Sequence, residues 1–361
     1  MADWAGLNND LLVEIAKRVK VIEDFIVFGC VCNSWRKAST KDNFDVLSPQ
    51  LPLLMLPQKD DYREFYSISK GKISRRLYLP EAKGRECFPS HQMGWFFTQS
   101  LDVGEEVRLL NPFSATKIQL PTLIEDLEYP YIINAILSAN PSFISDYVLV
   151  ISYHTYVEQF AFWRPGDINW TQINLTRTYG GVYNMIYYKG QFYFVTWTAE
   201  LGIIDVQGPE PRVDSLKINL NDDKKFFCQN STHFYLVEVN DALLLVVRFG
   251  RSRSNAYGAR HTFKYEVYEI DVVKGNLKEI NNLGDSTIFL GFNASTCINS
   301  TIFTGVKPNH IYFTDDCVGG AGPRLRAGLL RTNNSNYSGL TWSIVFEKKL
   351  VIGKLFKQFS I

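Results

Sequence analysis

The sequence lacks any apolar run long enough to cross a bilayer as a helix. Its longest stretches, such as ALLLVV at 242–247, are strand-sized, far below the ~20 residues a transmembrane helix needs. It also lacks an excess of either charge: 38 basic residues face 37 acidic ones, a net charge of +1. No global field therefore draws the chain to nucleic acid or to an anionic membrane, and a charge-driven partner must use a local patch. Cysteine is sparse. Cys30, Cys32, Cys87, Cys228, Cys297 and Cys317 share no framework spacing, which points to free, mostly buried thiols in a reducing cytosol or nucleus. Nor does the opening look like a secretion signal, because Asp3, Asp10, Glu14 and Lys17 interrupt it where a signal peptide is apolar. The Asn-x-Thr triplets at Asn169 and Asn230 are then chance matches.

Catalytic signatures are missing too. G-x-S-x-G, H-E-x-x-H and G-x-x-x-x-G-K-[ST] do not occur, and these are the arrangements that make a nucleophile, a zinc site or a phosphate cradle legible. His91, His154, His233, His261 and His310 are isolated from one another. Asp315-Asp316 reads as a turn after a strand, and GGAGPRLR from Gly319 reads as a connection, without the lysine and helix of a phosphate loop. A non-catalytic protein with no cofactor and no metal is expected.

What is present divides in two. In the first forty residues Leu7, Leu11, Leu12, Ile15 and Val19 recur at helical spacing, with Asn8 or Asn9 placed to cap the start. After a break at 20–23, Phe25, Phe28, Cys32 and Trp35 form a second stripe. Two or three short helices follow, in a unit too small to cover both stripes alone, so one face should belong to another polypeptide. Within it, Cys30-Val-Cys32 is no zinc clip: a site needs four ligands, and the nearest histidine is His91. It is also no redox pair, which keeps two residues between its cysteines. Cys32 and Trp35 are read as core.

Beyond Leu51 the pattern becomes short runs of Tyr, Phe, Val and Ile divided by Gly, Pro, Asn and Asp, the signature of strands. A unit recurs: a first strand, a turn, a second strand ending in a polar corner, and a short third strand. Its corners are LLNPFSATKIQLP (109–121), FWRPGDINWTQI (162–173), IIDVQGPEPRVDSLKI (203–218) and YEIDVVKGNLKEI (268–280), with GLLRTNNSNYSGLTWSI as a blurred fifth. The first strands are placed at 94–98, 147–153, 190–197, 242–249 and 310–316. Intervals of roughly 35 to 60 residues are those of propeller blades; the competing arrangement is a two-sheet sandwich whose strands share turn chemistry. The blades number six or seven if REFYSISKGKISRRLYLP supplies another.

With both parts in view, the sequence resembles the plant F-box proteins that carry a kelch-like, KIB-type β-propeller. WAGLNNDLLVEIAKRV followed by EDFIVFGCVCNSWRKAS resembles the F-box pattern of Leu-Pro, Leu-Leu-x-x-Ile and Val-Cys-x-x-Trp. RLLNPFSATKIQLP, FWRPGDINWTQI, MIYYKGQFYFV, LGDSTIFLGFNAS and NHIYFTDD look like that family's landmarks in their order. The resemblance implies an α+β multidomain chain: a small N-terminal helical F-box at 1–41, a linker at 42–57, and an all-β propeller of six or seven irregular blades at 58–361. It also implies that Leu7, Leu11, Leu12, Ile15, Phe25, Val31, Cys32 and Trp35 form the F-box core or meet a Skp-type adaptor, two roles the sequence does not separate. The adaptor leads to a cullin, and the propeller would hold an unidentified protein substrate for ubiquitination. The alternative is a non-degradative scaffold that masks a partner. Two departures stand out: Asn8 replaces the pattern's proline, and the tail after Leu330 is unlike the family's last blade, leaving ring closure open. Finally, RFGRSRSNAYGARHTFK, read as a long insertion between strands, makes Arg251, Arg253 and Arg260 candidates for gripping an acidic or phosphorylated substrate.

Overall fold

Asn8 starts the first helix in place of the missing proline. Its side chain accepts a hydrogen bond from the Asp10 backbone N–H at 3.3 Å, and α1 (Asn9–Arg18) runs from acidic Asp10 to basic Lys17 and Arg18, the charge order a helix dipole favours. α2 (Ile22–Gly29) and α3 (Asn33–Ala38) complete the head. Gly29, at the end of α2, lets Ser39 pack close: a Cβ there would lie 2.3 Å from the Ser39 hydroxyl and displace it. The Phe28 and Trp35 rings pack at 4.5 Å, and the Trp35 indole N–H donates to the Trp4 carbonyl at 2.9 Å.

This computed structural model describes residues 4, 6–45, 48, 50–56, 60–68, 70–90, 94–102, 106–112, 114–123, 131–155, 157–175, 177–208, 210–218, 232–252, 260–291, 294–313, 343–345 and 357–360. Its strands form six four-stranded sheets, the blades of a propeller. Blade 1 holds β1 (Leu53–Met55), β2 (Tyr62–Ser67) and β3 (Lys72–Tyr78), and blade 2 holds β4 (Arg85–Pro89), β5 (Phe96–Ser100), β6 (Val107–Asn111) and β7 (Thr116–Gln119). Blade 3 is β8 (Tyr131–Leu137), β9 (Leu149–His154), β10 (Glu158–Trp163) and β11 (Thr171–Gln172). Blade 4 is β12 (Val182–Tyr188), β13 (Gln191–Thr196), β14 (Glu200–Asp205) and β15 (Arg212–Lys217). β16 (Thr232–Val239), β17 (Ala242–Ser252), β18 (Arg260–Ile270) and β19 (Leu277–Glu279) make blade 5. Blade 6 contains β20 (Ser286–Leu290), β21 (Ser295–Asn299) and β22 (His310–Phe313). Two tail strands finish the ring: β23 (Ser343–Val345) pairs antiparallel with β1, Leu53 opposite Val345, and β24 (Lys357–Ser360) pairs with β22. The innermost strands β23, β4, β8, β12, β16 and β21 follow one another round the axis.

Several expectations shift. The segments placed as first strands at 94–98, 147–153, 190–197 and 242–249 are second strands, β5, β9, β13 and β17, while β22 at 310–313 is the third position of its blade. A second strand is flanked by strands on both edges and packed on both faces, so it reads as an unbroken apolar run. The inner strands read less clearly: β8 and β12 each carry a register shift next to a buried asparagine, Asn134 and Asn184. The four corners do fall on third-to-fourth-strand hairpins. Leu53–Met55, inside the stretch expected to be a linker, is strand β1. Most of the blurred fifth corner, with Asp315-Asp316 and GGAGPRLR, lies outside the described residues.

The head is built onto the ring. Leu12, Ala16, Phe25, Phe28, Ala38 and Phe44 share one buried cluster with Leu53, Met55 and Phe65 of blade 1 and Phe96 and Leu110 of blade 2. The inner helical stripe is thus covered by the chain's own propeller, while among the described residues the outer one stays exposed.

Candidate functional site

Two surfaces follow from this architecture. The first is the outside of the head. Leu12 and Phe25 are buried, whereas Leu11 is 55 % exposed, Ile15 38 %, Val27 64 % and Val31 56 %. Leu11 and Ile15 are one helical turn apart on α1, so they share a face. Leu7 and Trp35 lie between the two classes, half-buried against the core, and Cys32 is half-buried at the start of α3. The eight candidates thus sort into core (Leu12, Phe25), margin (Leu7, Cys32, Trp35) and bare apolar surface (Leu11, Ile15, Val31). Sequence reasoning missed Trp4, Ile26 and Val27, which are also exposed. The signal was there: FIVF in α2 is apolar all round, and a helix apolar all round has a partner on each side.

The second surface is on the propeller. Successive strands within blades 2 to 5 are antiparallel, so the second-to-third-strand turns and the connections between blades leave from one face, called upper here. In blade 4 that turn carries Trp197, 54 % exposed, whose indole lies over Gly180 and Gly181 of the preceding connection. A Cβ at Gly180 would come within 2.2 Å of the indole nitrogen, so only glycine permits this seat. The Trp197 backbone N–H donates to the Gly181 carbonyl at 3.0 Å. Beside it Arg177 pairs with Glu200 and stacks over Tyr179. At the start of the inner strands the Tyr183 and His233 rings are stacked at 4.7 Å.

The basic segment of blade 5 is mostly hairpin. β17 and β18 continue past the inner strand, with Arg251 opposite His261 and Ser252 opposite Arg260, and a register shift between Phe249 and Gly250. Arg248 belongs to the core: it is buried, donates to the Tyr235 hydroxyl at 3.2 Å and lies over the Phe313 ring. Lys264 is tied to Glu266 at 2.6 Å. Arg253 lies outside the described residues, while Arg251 and Arg260 are placed by their backbone. Two of the three arginines are therefore brought to one end of one ribbon.

Comparison with known proteins places residues 4–47 on the F-box domain model and residues 65–339 on the KIB1-4 beta-propeller model. The F-box protein At2g17036 of Arabidopsis thaliana is 22 % identical over 331 residues, covering 82 % of this chain and 80 % of that protein. The F-box/kelch-repeat protein At1g64840 of the same plant is 20 % identical over 352 residues, covering 88 % and 85 %.

Proposed function

Since the chain belongs to the KIB1-4 beta-propeller family and carries an F-box domain, we propose that it is the substrate-receiving subunit of a Skp-cullin-F-box ubiquitin ligase. The observation that carries this reading is the division of the head into a stripe closed by its own propeller and a bare stripe of Leu11, Ile15, Ile26, Val27 and Val31. Exposed apolar side chains grouped on a module this small are stabilised by being covered. A Skp-type adaptor is the partner, and through it a cullin. The propeller, held rigidly to the head by a shared core, presents a bound target protein to the conjugating enzyme. Rate then comes from proximity, with the covalent steps carried out by other subunits.

The experiment is co-purification of the full-length chain with adaptor and cullin, comparing the natural sequence with a Leu11→Asp/Val31→Asp variant. Adaptor and cullin recovered with the first and lost with the second support the reading. A natural chain that purifies without either subunit sinks it and leaves a partner-masking scaffold.

A further inference from the structure

The upper edge of blade 2, on its side toward blade 1, holds more positive charge than its own carboxylate balances. Arg85 opens the inner strand β4, and its side chain is 3 % exposed. Its guanidinium donates to the Thr98 hydroxyl at 3.0 Å, to the Thr98 carbonyl at 3.1 Å and to the Glu106 carbonyl at 2.8 Å. The remaining nitrogen, Nη1, lies 3.1 Å from Glu106 Oε1. Arg108, opposite Thr98 on β6, reaches the same oxygen through Nη2 at 3.4 Å. Two cations therefore share one oxygen of one carboxylate, and among the described residues neither has a second acidic partner. Arg108 Nε is buried without an acceptor among those residues. Behind the pair, buried Arg63 of blade 1 donates to the Ala82 and Arg85 carbonyls at 3.0 and 3.3 Å. Burial, and then the neighbouring Arg108 charge, push the pKa of Arg85 down.

A buried charge is costly unless it is paired, so the surplus cation calls for an anion from outside. The pair can be reached: Glu106, at the end of the second-to-third-strand turn, is 44 % exposed and Arg108 21 %. Arg85 is held in place by its bonds to Thr98 and the Glu106 backbone, so binding would order little that is not already fixed. A phosphomonoester carries roughly two negative charges at neutral pH and three strong acceptor oxygens. It can serve Arg85 Nη1, Arg108 Nη2 and the idle Arg108 Nε together, where Glu106 serves two of the three with a single oxygen. Guanidinium forks match such a group in geometry as well as charge.

We infer that Arg85 and Arg108 form a receiving site for a phosphorylated side chain of the target protein, and that Glu106 is its resident stand-in, giving up its place when the phosphate enters. This rests on the substrate-receptor reading and adds the modification that the received protein carries.

The test uses the full-length chain, co-expressed with its adaptor, and labelled peptide pools randomised around one fixed phosphoserine, serine or aspartate, followed by fluorescence anisotropy. Expected is binding of the phosphoserine pool about ten-fold or more tighter than of either other pool, weakened by salt and competed by phenyl phosphate. Glu106→Gln removes the resident charge at nearly constant shape and should tighten that binding roughly ten-fold, since the ligand no longer meets a like charge. Arg108→Gln should weaken it roughly ten-fold, and Arg108→Lys should recover only part, because an ammonium makes no fork. Thermal unfolding gives an independent reading: Glu106→Gln should melt lower than the natural chain in chloride and regain the difference in phenyl phosphate. An ion triad with a purely structural role would be weakened by Glu106→Gln and left so by phenyl phosphate. That result, equal binding of the three pools, or unchanged binding by Arg108→Gln overturns the inference. Binding of inorganic phosphate without binding of the phosphoserine pool overturns the target protein as the source. Because adaptor retention is scored in the same preparation, any of these results with adaptor still held rejects the phosphate site alone. A chain that holds no adaptor rejects the receptor reading instead.

Discussion

Replacing both Leu11 and Val31 with aspartate should abolish adaptor binding while leaving the fold intact. Complete burial of a leucine or valine contributes about 1.5–3 kcal/mol. Leu11 and Val31 are 55 % and 56 % exposed, so covering them yields roughly half of that each, on the order of 2 kcal/mol for the pair. Aspartate removes this gain and adds the cost of taking an unpaired carboxylate out of water, about 1–3 kcal/mol or more per site. The sum predicts at least a hundred-fold loss of affinity, since each 1.4 kcal/mol is about ten-fold. The folded chain itself should change by less than about 0.5 kcal/mol, because neither side chain is part of the core. The comparison variant is Leu12→Asp, at a position with no exposure that packs in the cluster joining head and propeller. It should lower the melting temperature and lose the adaptor by unfolding the head. Calorimetric titration with a purified Skp-type adaptor, paired with thermal unfolding, distinguishes the two. Full affinity in a stable Leu11→Asp/Val31→Asp protein would refute the assignment of this stripe to the adaptor.

Other outcomes can be stated more briefly. Deleting residues 343–361 removes both tail strands and exposes the edges of β1 and β22; the product should self-associate in light scattering, and a monomer of unchanged melting temperature would contradict the closed ring. Burial, and then the nearby Asp241 carboxylate, raise the pKa of Glu238, with Lys189 opposing. A raised carboxyl contributes stability when protonated and loses it as pH rises through the folded pKa, so Glu238→Gln should raise the melting temperature at neutral pH and do little below about pH 4; the same gain at both would disprove this origin. Cys30 is exposed beside Val31, and burial pushes the Cys87 thiol pKa up. A maleimide should therefore modify Cys30 quickly in the free chain, slowly in the adaptor complex, and Cys87 only on unfolding, as peptide mapping will show.

Much of the ring was legible because second strands such as LVISY in β9 and LLLVV in β17 are buried on both faces, and because the corner hairpins have their own turn chemistry. The inner strands were harder to see: Asn134 and Asn184 break the apolar pattern of β8 and β12, and a register shift beside each interrupts the pairing with β9 and β13. At the head, helical periodicity located the apolar residues but not their destinations. Phe25 and Val27 sit two positions apart in one apolar helix, one buried and one bare, and only the placement of blade 1 decides which is which. The closing strand SIV had no local signature, since three residues carry almost none and the partner is at the other end of the propeller. The Asn8 cap was foreseeable, because asparagine satisfies a helix start by its side chain where proline does so by its fixed dihedral.

The pairing of Leu53 with Val345 joins positions roughly 290 residues apart, and long-range strand pairing of this kind is intrinsically slow. On the ribosome, β1 emerges early and waits with a bare edge until residues 343–345 have been made. A nascent copy stalled before them is a ring with a gap, its unpaired edge open to aggregation. Pairing of β23 with β1 is therefore the step that removes that bare edge and completes the ring.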